Sequence, residues 1–393
     1  MKVAQLSTRF PPGPGGVERH VGELAPRLHA RGHTVEVFTS DLYREFPWRR
    51  LPATVPREET TSWGAVHRLK VWSLPGEFHY PFFRGLPKAL ERFRPEIVHA
   101  HTYGTNHATI AARYARRTGI PFVLTAHFHP IWSIEGGWTR HRIRGFYDRR
   151  LAGPVVRSAA RLIVQSREEE RLVRALGVSL PPVSIVPPGY SPLPAPPSGA
   201  PSFASRVGVK GPFVLFVGRL ASNKGLLTLV DAFASLRRAH PDAELVLVGE
   251  DGGMAPAVRG RAASLGLGNS VHVVGHVPDE RELAAAYREA RFLALPSDYE
   301  AFGLVLLEAL AQGTPVIASR VGGIPEFVPD EKAGLLVPPG VPAELARAME
   351  RLWSDRELAT RLARYGRDEV VPQYTWDALA DRLDAVYREV TTR

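Results

Sequence analysis

LPSDYEAFGLVLLEALAQGTPVIAS, residues 295–319, is the stretch on which the fold turns. It starts at the end of an apolar run over 292–295 that reads as a buried strand, turns through Ser297, Asp298 and Tyr299, and opens a helix near Gly303. A second buried strand follows over 315–318. In FGLVLLEALA, residues 302–311, every side chain is apolar or absent except Glu308. A helix apolar all round is buried, and a carboxylate on it needs a polar partner. Glu300 lies just before this helix, and at about 1.5 Å per residue the two carboxylates are at most roughly 12 Å apart along the axis. That spacing suits the two ends of a small extended ligand. A vicinal diol of a ribose fits Glu308, because a carboxylate accepts from two hydroxyls at once. A helix whose one Glu pairs with an arginine fits the same pattern.

Working outward, strands alternate with helices on both sides. Runs at 213–217, 244–248, 271–274, 291–295, 315–318 and 335–337 read as strands, with helices such as 226–239 and 282–289 between them. The first half repeats the alternation, with strands at 2–6, 34–39, 66–72, 96–101, 122–126, 161–165 and 183–186. Helical patterns fall at 17–30, 105–117, 140–159 and 168–176, and residues 41–64 read as a polar, proline-interrupted loop. Such alternation predicts parallel, doubly wound sheets. PPGYSPLPAPPSGAP, residues 187–201, reads as a semi-rigid connector. The predicted division is therefore a Rossmann-like domain over 1–190, a linker over 191–205 and a second Rossmann-like domain over 206–374. The tail is helical over 343–353, 356–365 and 376–390, with a break at Pro372.

Composition narrows the chemistry. The 393 residues contain no cysteine, which excludes disulfides, thiol catalysis and thiolate metal sites. The N-terminus MKVAQLS has no signal-peptide apolar region, and no run of about 20 apolar residues offers a membrane span; a cytoplasmic protein is expected. The net charge of +10 favours anionic partners without choosing among them.

Three constellations fall where strands end, the edge at which such sheets bind ligands. Pro11-Pro-Gly-Pro-Gly-Gly-Val-Glu18 follows the first strand and opens a helix, so Gly15 and Gly16 can bring backbone N–H groups to an anion. Glu18 stands where a dinucleotide fingerprint has its third glycine, which argues against a nicotinamide cofactor despite Asp41 after the second strand. Gly218-Arg-Leu-Ala-Ser-Asn-Lys-Gly225 places Arg219 and Lys224, one of only six lysines, after the strand FVLFV. A forked guanidinium and a mobile ammonium suit a diphosphate, although two solvated surface cations would look alike. Thr125-Ala-His-Phe-His129 presents His127 at a strand end, with His99 and His101 closing the neighbouring strand. A hydrogen-bonded structural histidine is the plainer reading of each. Without acids at ligand spacing they do not read as a metal site, and no Asp-x-Asp occurs in the chain.

These motifs together resemble the retaining glycosyltransferases of the GT-B fold, family 4: the E-x7-E pair Glu300 and Glu308, the GRLASNKG loop, the PGPGGVERH loop and the histidine of TAH. The resemblance covers essentially the whole chain. It implies two Rossmann-like domains facing across a cleft, the first taking the acceptor and the second a nucleoside-diphosphate sugar, with the helix of 375–393 packing back onto the first domain. It further implies that Arg219 and Lys224 hold the diphosphate, and that Glu300 with the backbone of Ala301, Phe302, Gly303 and Leu304 holds the sugar and phosphate. Glu308 takes the ribose, Gly15 and Gly16 approach the phosphates, Val277 lies by the base and His127 contacts the sugar. Catalysis would rest on His127, Glu300, Arg219 and Lys224, with no metal and no other cofactor. Phe128 stands where many relatives carry Asp. An epimerase or phosphorylase on the same architecture, and an idle nucleotide-binding module, remain as alternatives. No nucleic-acid partner is expected. The acceptor is a hydroxyl compound, and Trp138 to Arg161, with Arg140, Arg142, Arg144, Arg149, Arg150 and Arg157, reads either as a cleft-edge helix or as a helix lying on anionic membrane.

Overall fold

The computed structural model describes residues 1–45, 48–73, 80–128, 147–195, 197, 199 and 201–392. The chain forms two compact units, Met1–Gly189 with Trp376–Arg393, and Tyr190–Thr375. Both are α/β and built on parallel sheets.

In the first unit the strands are β1 (Lys2–Leu6), β2 (Thr34–Ser40), β3 (Glu58–Thr61), β4 (Gly64–Leu69), β5 (Ile97–His101), β6 (Phe122–Thr125), β7 (Arg161–Val164) and β8 (Val183–Ile185). They lie in the order β8-β7-β6-β5-β1-β2-β4-β3. Pairing is parallel throughout, with Lys2 opposite Thr34 and Val3 opposite Ile97, until β3 turns back antiparallel on β4. Helix α1 (Gly16–Ala30) and the last helix, α2 (Trp376–Thr391), cover one face: Leu24 and Leu28 share a buried cluster with Leu379, Leu383 and Tyr387. Arg31 fastens α1 to α2 through Asp381 at 2.7 Å, and His33 does so through Asp384 at 2.7 Å. The other face packs Leu6, Phe38 and Val98 against Leu86 and Leu90 of the helix Leu86–Phe93.

The second unit carries β9 (Phe213–Val217), β10 (Glu244–Val248), β11 (Val271–Gly275), β12 (Phe292–Leu295), β13 (Val316–Ser319) and β14 (Leu335–Val337), in the order β11-β10-β9-β12-β13-β14. Every residue of β9, FVLFV, is buried, as a strand covered on both faces requires. The helix within the opening stretch, α3, runs Leu304–Ala311. Gly303 caps it at φ 90°, a left-handed conformation that glycine adopts without strain.

Five local expectations change. Residues 41–64 are not one loop: Leu42–Arg44 pairs with Arg49–Arg50, and Glu58–Thr61 becomes the edge strand β3. An edge strand is half-solvated and tolerates the polar run EETT, which hides it from a hydrophobicity pattern. The strand expected over 66–72 is split, and Val71–Trp72 pairs instead with Phe82–Phe83. The connector expected over 191–205 is in part core, because Phe203 on the short helix Phe203–Val207 is buried with Phe213. Of the helix expected over 140–159, residues up to 146 lie outside the described ones; the rest is a wide turn, Asp148–Ala152, leading into Gly153–Arg157. The break expected at Pro372 falls three residues later: Gly366–Val370 and Val371–Tyr374 continue the helical path as wider and tighter turns, and the extended Thr375 separates them from α2.

Where α2 rejoins the first unit, backbone and indole touch. A Cβ on Gly189 would stand 2.2 Å from Cδ2 of Trp376 and 2.3 Å from its Cε3. Trp376 is buried and has no room to retreat. Gly189→Ala is expected to lower the unfolding free energy by about 1–3 kcal/mol, the usual cost of overpacking a filled core. Chemical denaturation reads this directly, and an unchanged midpoint would show that the indole yields freely.

Candidate functional site

Chemistry-bearing side chains gather at the carboxyl ends of the parallel strands in each unit. In the second unit the loop after β9 turns through Arg219 and Lys224 and enters the helix Leu226–Ala239 at Gly225. Gly225 has φ 63°, and a Cβ there would lie 1.9 Å from the Pro296 carbonyl oxygen, so no other residue fits this close approach. Asp298 N–H donates to the Asn223 carbonyl at 2.9 Å, which draws the loop after β12 against the loop after β9. The outcome is an ion pair: Lys224 Nζ donates to Glu300 Oε2 at 2.5 Å, with the two side chains 19% and 15% exposed. Arg219 is exposed and has no ion-pair or hydrogen-bond partner for its side chain among the described residues.

Glu308 sits on the second turn of α3, and the Tyr287 hydroxyl donates to its Oε2 at 2.7 Å. Tyr287 is fully buried, and burial together with the Glu308 charge holds its hydroxyl well above the usual range, so it remains a donor. A carboxylate has about four acceptor sites, and Tyr287 occupies one of them. Ala301, Phe302, Gly303 and Leu304 form the turn between the two carboxylates, with Phe302 stacked on Phe327 at 4.5 Å. Val277 follows β11 and is buried. The structure thus brings Lys224 and Glu300 into direct contact.

In the first unit Gly15 and Gly16 open α1, and both are exposed. Glu18 folds back over them: its Oε2 lies 2.0 Å from where a Gly15 Cβ would be, and Arg9 pairs with its Oε1 at 2.8 Å. The protein's own carboxylate therefore sits at this helix terminus, and burial raises its pKa. Asp41, the residue that imitates a ribose acid, is instead paired with Arg50 at 2.6 Å.

His127 stands after β6 at φ 42°, a left-handed conformation uncommon for a residue with a side chain. Two N–H groups beside it end on one carboxylate: Phe128 N–H donates to Glu169 Oε1 and Gln165 N–H to Glu169 Oε2, each at 2.5 Å. Behind it runs a buried chain of hydrogen bonds. Gln5 Nε2 donates to the Tyr387 hydroxyl at 2.7 Å, and that hydroxyl donates to His99 Nδ1 at 2.6 Å. His99 Nε2–H donates to Thr125 Oγ1, and His101 Nε2–H to Gln5 Oε1, each at 2.7 Å. This sequence of donors leaves the lone pair of His101 on Nδ1, 3.4 Å from His127 Nε2. Burial lowers His99 to about 3 and His20, which packs against this group from α1, to about 4. His20, His99 and His101 are therefore neutral at pH 7.

Gln5, His20, Gln165, Glu169 and Tyr387 were invisible as site neighbours in the sequence. Glu169 alone carries a local signal, Ser166-x-x-Glu169, and Ser166 Oγ does cap the helix Arg167–Arg174 by accepting from Glu169 N–H at 3.0 Å. The first part of the basic stretch 138–161, including Trp138, Arg140, Arg142 and Arg144, lies outside the described residues. Its described members face partly inward: Tyr147 donates to the Gly104 carbonyl at 2.8 Å, and Arg161 is buried on β7. Among the described residues no helix is long and apolar enough to cross a membrane.

Comparison with known proteins places these strand ends in a family context. Residues 202–369 match the family described as "Glycosyl transferases group 1", and residues 15–189 match a "Glycosyl transferase 4-like domain". The chain is 30% identical to a glycogen synthase of Mycobacterium tuberculosis (strain CDC 1551), covering 98% of this chain and 94% of the relative. It is 32% identical to a D-inositol 3-phosphate glycosyltransferase of Acidothermus cellulolyticus, covering 95% and 86%. Among solved structures, sucrose-phosphate synthase from Thermosynechococcus elongatus superposes with a TM-score of 0.74 at 26% identity, covering 100% and 99%. Anabaena HepE, solved in complex with UDP, gives 0.76 at 20% identity, covering 99% and 100%.

Burial pushes the Glu169 carboxyl up to about 7 from its ordinary 4.5, against the pull of its two N–H donors. Its folded pKa exceeds its unfolded one, so the folded state holds the extra proton between these values. The associated stability is present below the unfolded pKa and is lost as pH rises through about 7. A shift of this size corresponds to about 3 kcal/mol. Unfolding free energy is expected to fall between roughly pH 4.5 and pH 7, and Glu169→Gln to flatten that slope. The same slope in the variant would assign it to another group.

Proposed function

Since this chain belongs to the group 1 glycosyl transferases and has their GT-B fold, we propose that it moves a sugar from a nucleoside-diphosphate sugar to a hydroxyl acceptor, with retention of configuration and without a divalent metal. The acceptor is a carbohydrate, a small polyol or a lipid-linked hydroxyl. The observation that carries this reading is the Lys224–Glu300 pair at the ends of β9 and β12, with Arg219 exposed on the same loop.

As the glycosidic bond to the diphosphate breaks, negative charge grows on the leaving oxygen and the sugar becomes oxocarbenium-like. Arg219 forks onto the phosphate oxygens, and Lys224 adds a point charge that moves with the leaving group. Two fixed cations do there what a metal ion does in other transferases. Phosphate that takes Lys224 releases Glu300, whose carboxylate then accepts from sugar hydroxyls and orients the ring. Glu308, steadied by Tyr287, accepts from the ribose diol. The acceptor hydroxyl attacks from the face the diphosphate leaves, and its proton passes to the leaving phosphate oxygen, so no protein nucleophile is needed. His127 touches the sugar as a hydrogen-bonding group. An epimerase would return an isomerised donor, a phosphorylase would need inorganic phosphate, and an idle module would bind nucleotide without turnover.

A thermal-shift screen of nucleoside diphosphates and their sugars identifies the donor, because a ligand stabilises the state it binds. With that donor, transfer is expected to continue in excess chelator; loss of turnover on chelation and recovery with magnesium or manganese would overturn the metal-independent mechanism. Lys224→Ala should lower kcat by about 10²–10³ with little change in melting temperature, and normal turnover would make Lys224 a surface cation. Glu308→Ala should raise the dissociation constant of the nucleoside diphosphate by roughly tenfold to a hundredfold, the loss of hydrogen bonds to a charged group. An unchanged constant would remove the ribose assignment.

A further inference from the structure

His20 from α1, His101 from the end of β5 and His127 from beyond β6 converge although they are far apart in the chain. One ring nitrogen from each lies within 4.8 Å of the other two. The ring centroids form a nearly equilateral triangle: His20 to His101 5.5 Å, His20 to His127 5.2 Å and His101 to His127 5.6 Å. Three imidazoles on a tetrahedral ion have metal–nitrogen bonds of about 2.0–2.1 Å, which sets their nitrogens roughly 3.3 Å apart and their centroids roughly 5.2 Å apart. The observed triangle is within half an ångström of that figure on every side, and His101 Nδ1 and His127 Nε2 already stand 3.4 Å apart. From this geometry we propose that His20, His101 and His127 form a binding site for a zinc-class divalent ion, held by three neutral nitrogens with the fourth position open.

The surroundings fit such an ion. A metal-bound histidine ordinarily donates its other N–H to an oxygen that fixes its tautomer. His101 does this already, donating Nε2–H to Gln5 Oε1 at 2.7 Å and aiming the Nδ1 lone pair into the triangle. His127 Nδ1 lies 3.0 Å from the Gln165 side-chain amide, whose oxygen would take the Nδ1–H after a half-turn. His20 Nδ1 is buried and has no hydrogen-bond partner among the described residues, an orphan of the kind an ion or water explains. Neutral nitrogen donors without a carboxylate favour zinc, cobalt, nickel or copper over magnesium or calcium. The site therefore does not supply the magnesium-type help to a diphosphate that the transfer reaction dispenses with. Its consequence is inhibition: an ion on His127 withdraws the imidazole from the donor sugar, a step that rests on the role proposed for His127 above.

The test uses the full chain, freed of metal by chelation. Cobalt(II) is expected to bind at one equivalent with the visible d–d bands of a four- or five-coordinate ion, and zinc to displace it. His20→Ala and His127→Ala, each checked for folding by circular dichroism, should weaken binding by roughly a hundredfold or more, and Gln165→Ala by about tenfold to a hundredfold. The glutamine variant keeps the test decisive if a histidine variant does not fold. Sub-stoichiometric binding, or affinity unchanged in His20→Ala and His127→Ala, overturns the site. Zinc should also inhibit transfer reversibly in the wild type. Binding without inhibition upholds the site and overturns the His127–sugar contact, whereas absent binding with intact transfer overturns the site and leaves the transfer mechanism standing.

Discussion

Sheets covered on both faces leave only one place for chemistry, and both units obey that constraint. A strand such as FVLFV at 213–217 has no solvent face, so a polar side chain in its middle would be stranded without water. A charge reaches solvent most readily where the chain leaves such a strand. Arg219 leaves β9, Glu300 follows β12, His127 follows β6, and the glycines of α1 follow β1. Within each unit parallel pairing brings those ends to one edge of its own sheet, and in the second unit close backbone approaches such as Gly225 on Pro296 lock the loops there.

The two edges use that position differently. The second unit keeps full charges in half-buried positions, where Lys224 and Glu300 neutralise each other. The first unit's buried histidines carry no charge: His20, His99 and His101 are neutral, and His99 and His101 are satisfied through amide and hydroxyl groups that reach as far as Tyr387 on α2. A buried polar chain of this type is costly when broken, because each freed group loses its partner in a medium that supplies no other. That cost makes α2 part of the support for the strand edge, even though it joins the first unit only after the second unit is complete.

The fold class was legible in the sequence because its signal is local. Apolar runs of about five residues alternating with helical patterns specify a parallel sheet wherever they occur, and the glycines sit at turns that need them. Polar edge strands were not legible: EETT at 58–61 carries no hydrophobic period, and only its pairing with 64–67 makes it a strand. For the site, spacing revealed residues that share a loop or a helix, such as Lys224 near Arg219 and Glu308 after Glu300. It did not reveal that Tyr287 donates to Glu308 across 21 positions, or that Gln5 and Tyr387 meet across 382. Nor did it reveal the histidine triangle, since His20, His101 and His127 have no shared ligand spacing and are brought together by three separate elements.

The Lys224–Glu300 pair also bears on selectivity under the proposed function. Two opposite charges, each mostly shielded from water, can separate only if both find new partners, because an unpaired half-buried ion is strongly destabilising. A bare diphosphate satisfies Lys224 but leaves Glu300 with only the long 3.5 Å bond from Ser297 Oγ. A bare sugar offers hydroxyls to Glu300 but nothing anionic to Lys224. A nucleotide sugar supplies both at once, so opening the pair couples recognition of the phosphate to recognition of the sugar. The pair thereby favours the intact donor over its fragments, and it can re-form as the sugar leaves Glu300 and the diphosphate departs.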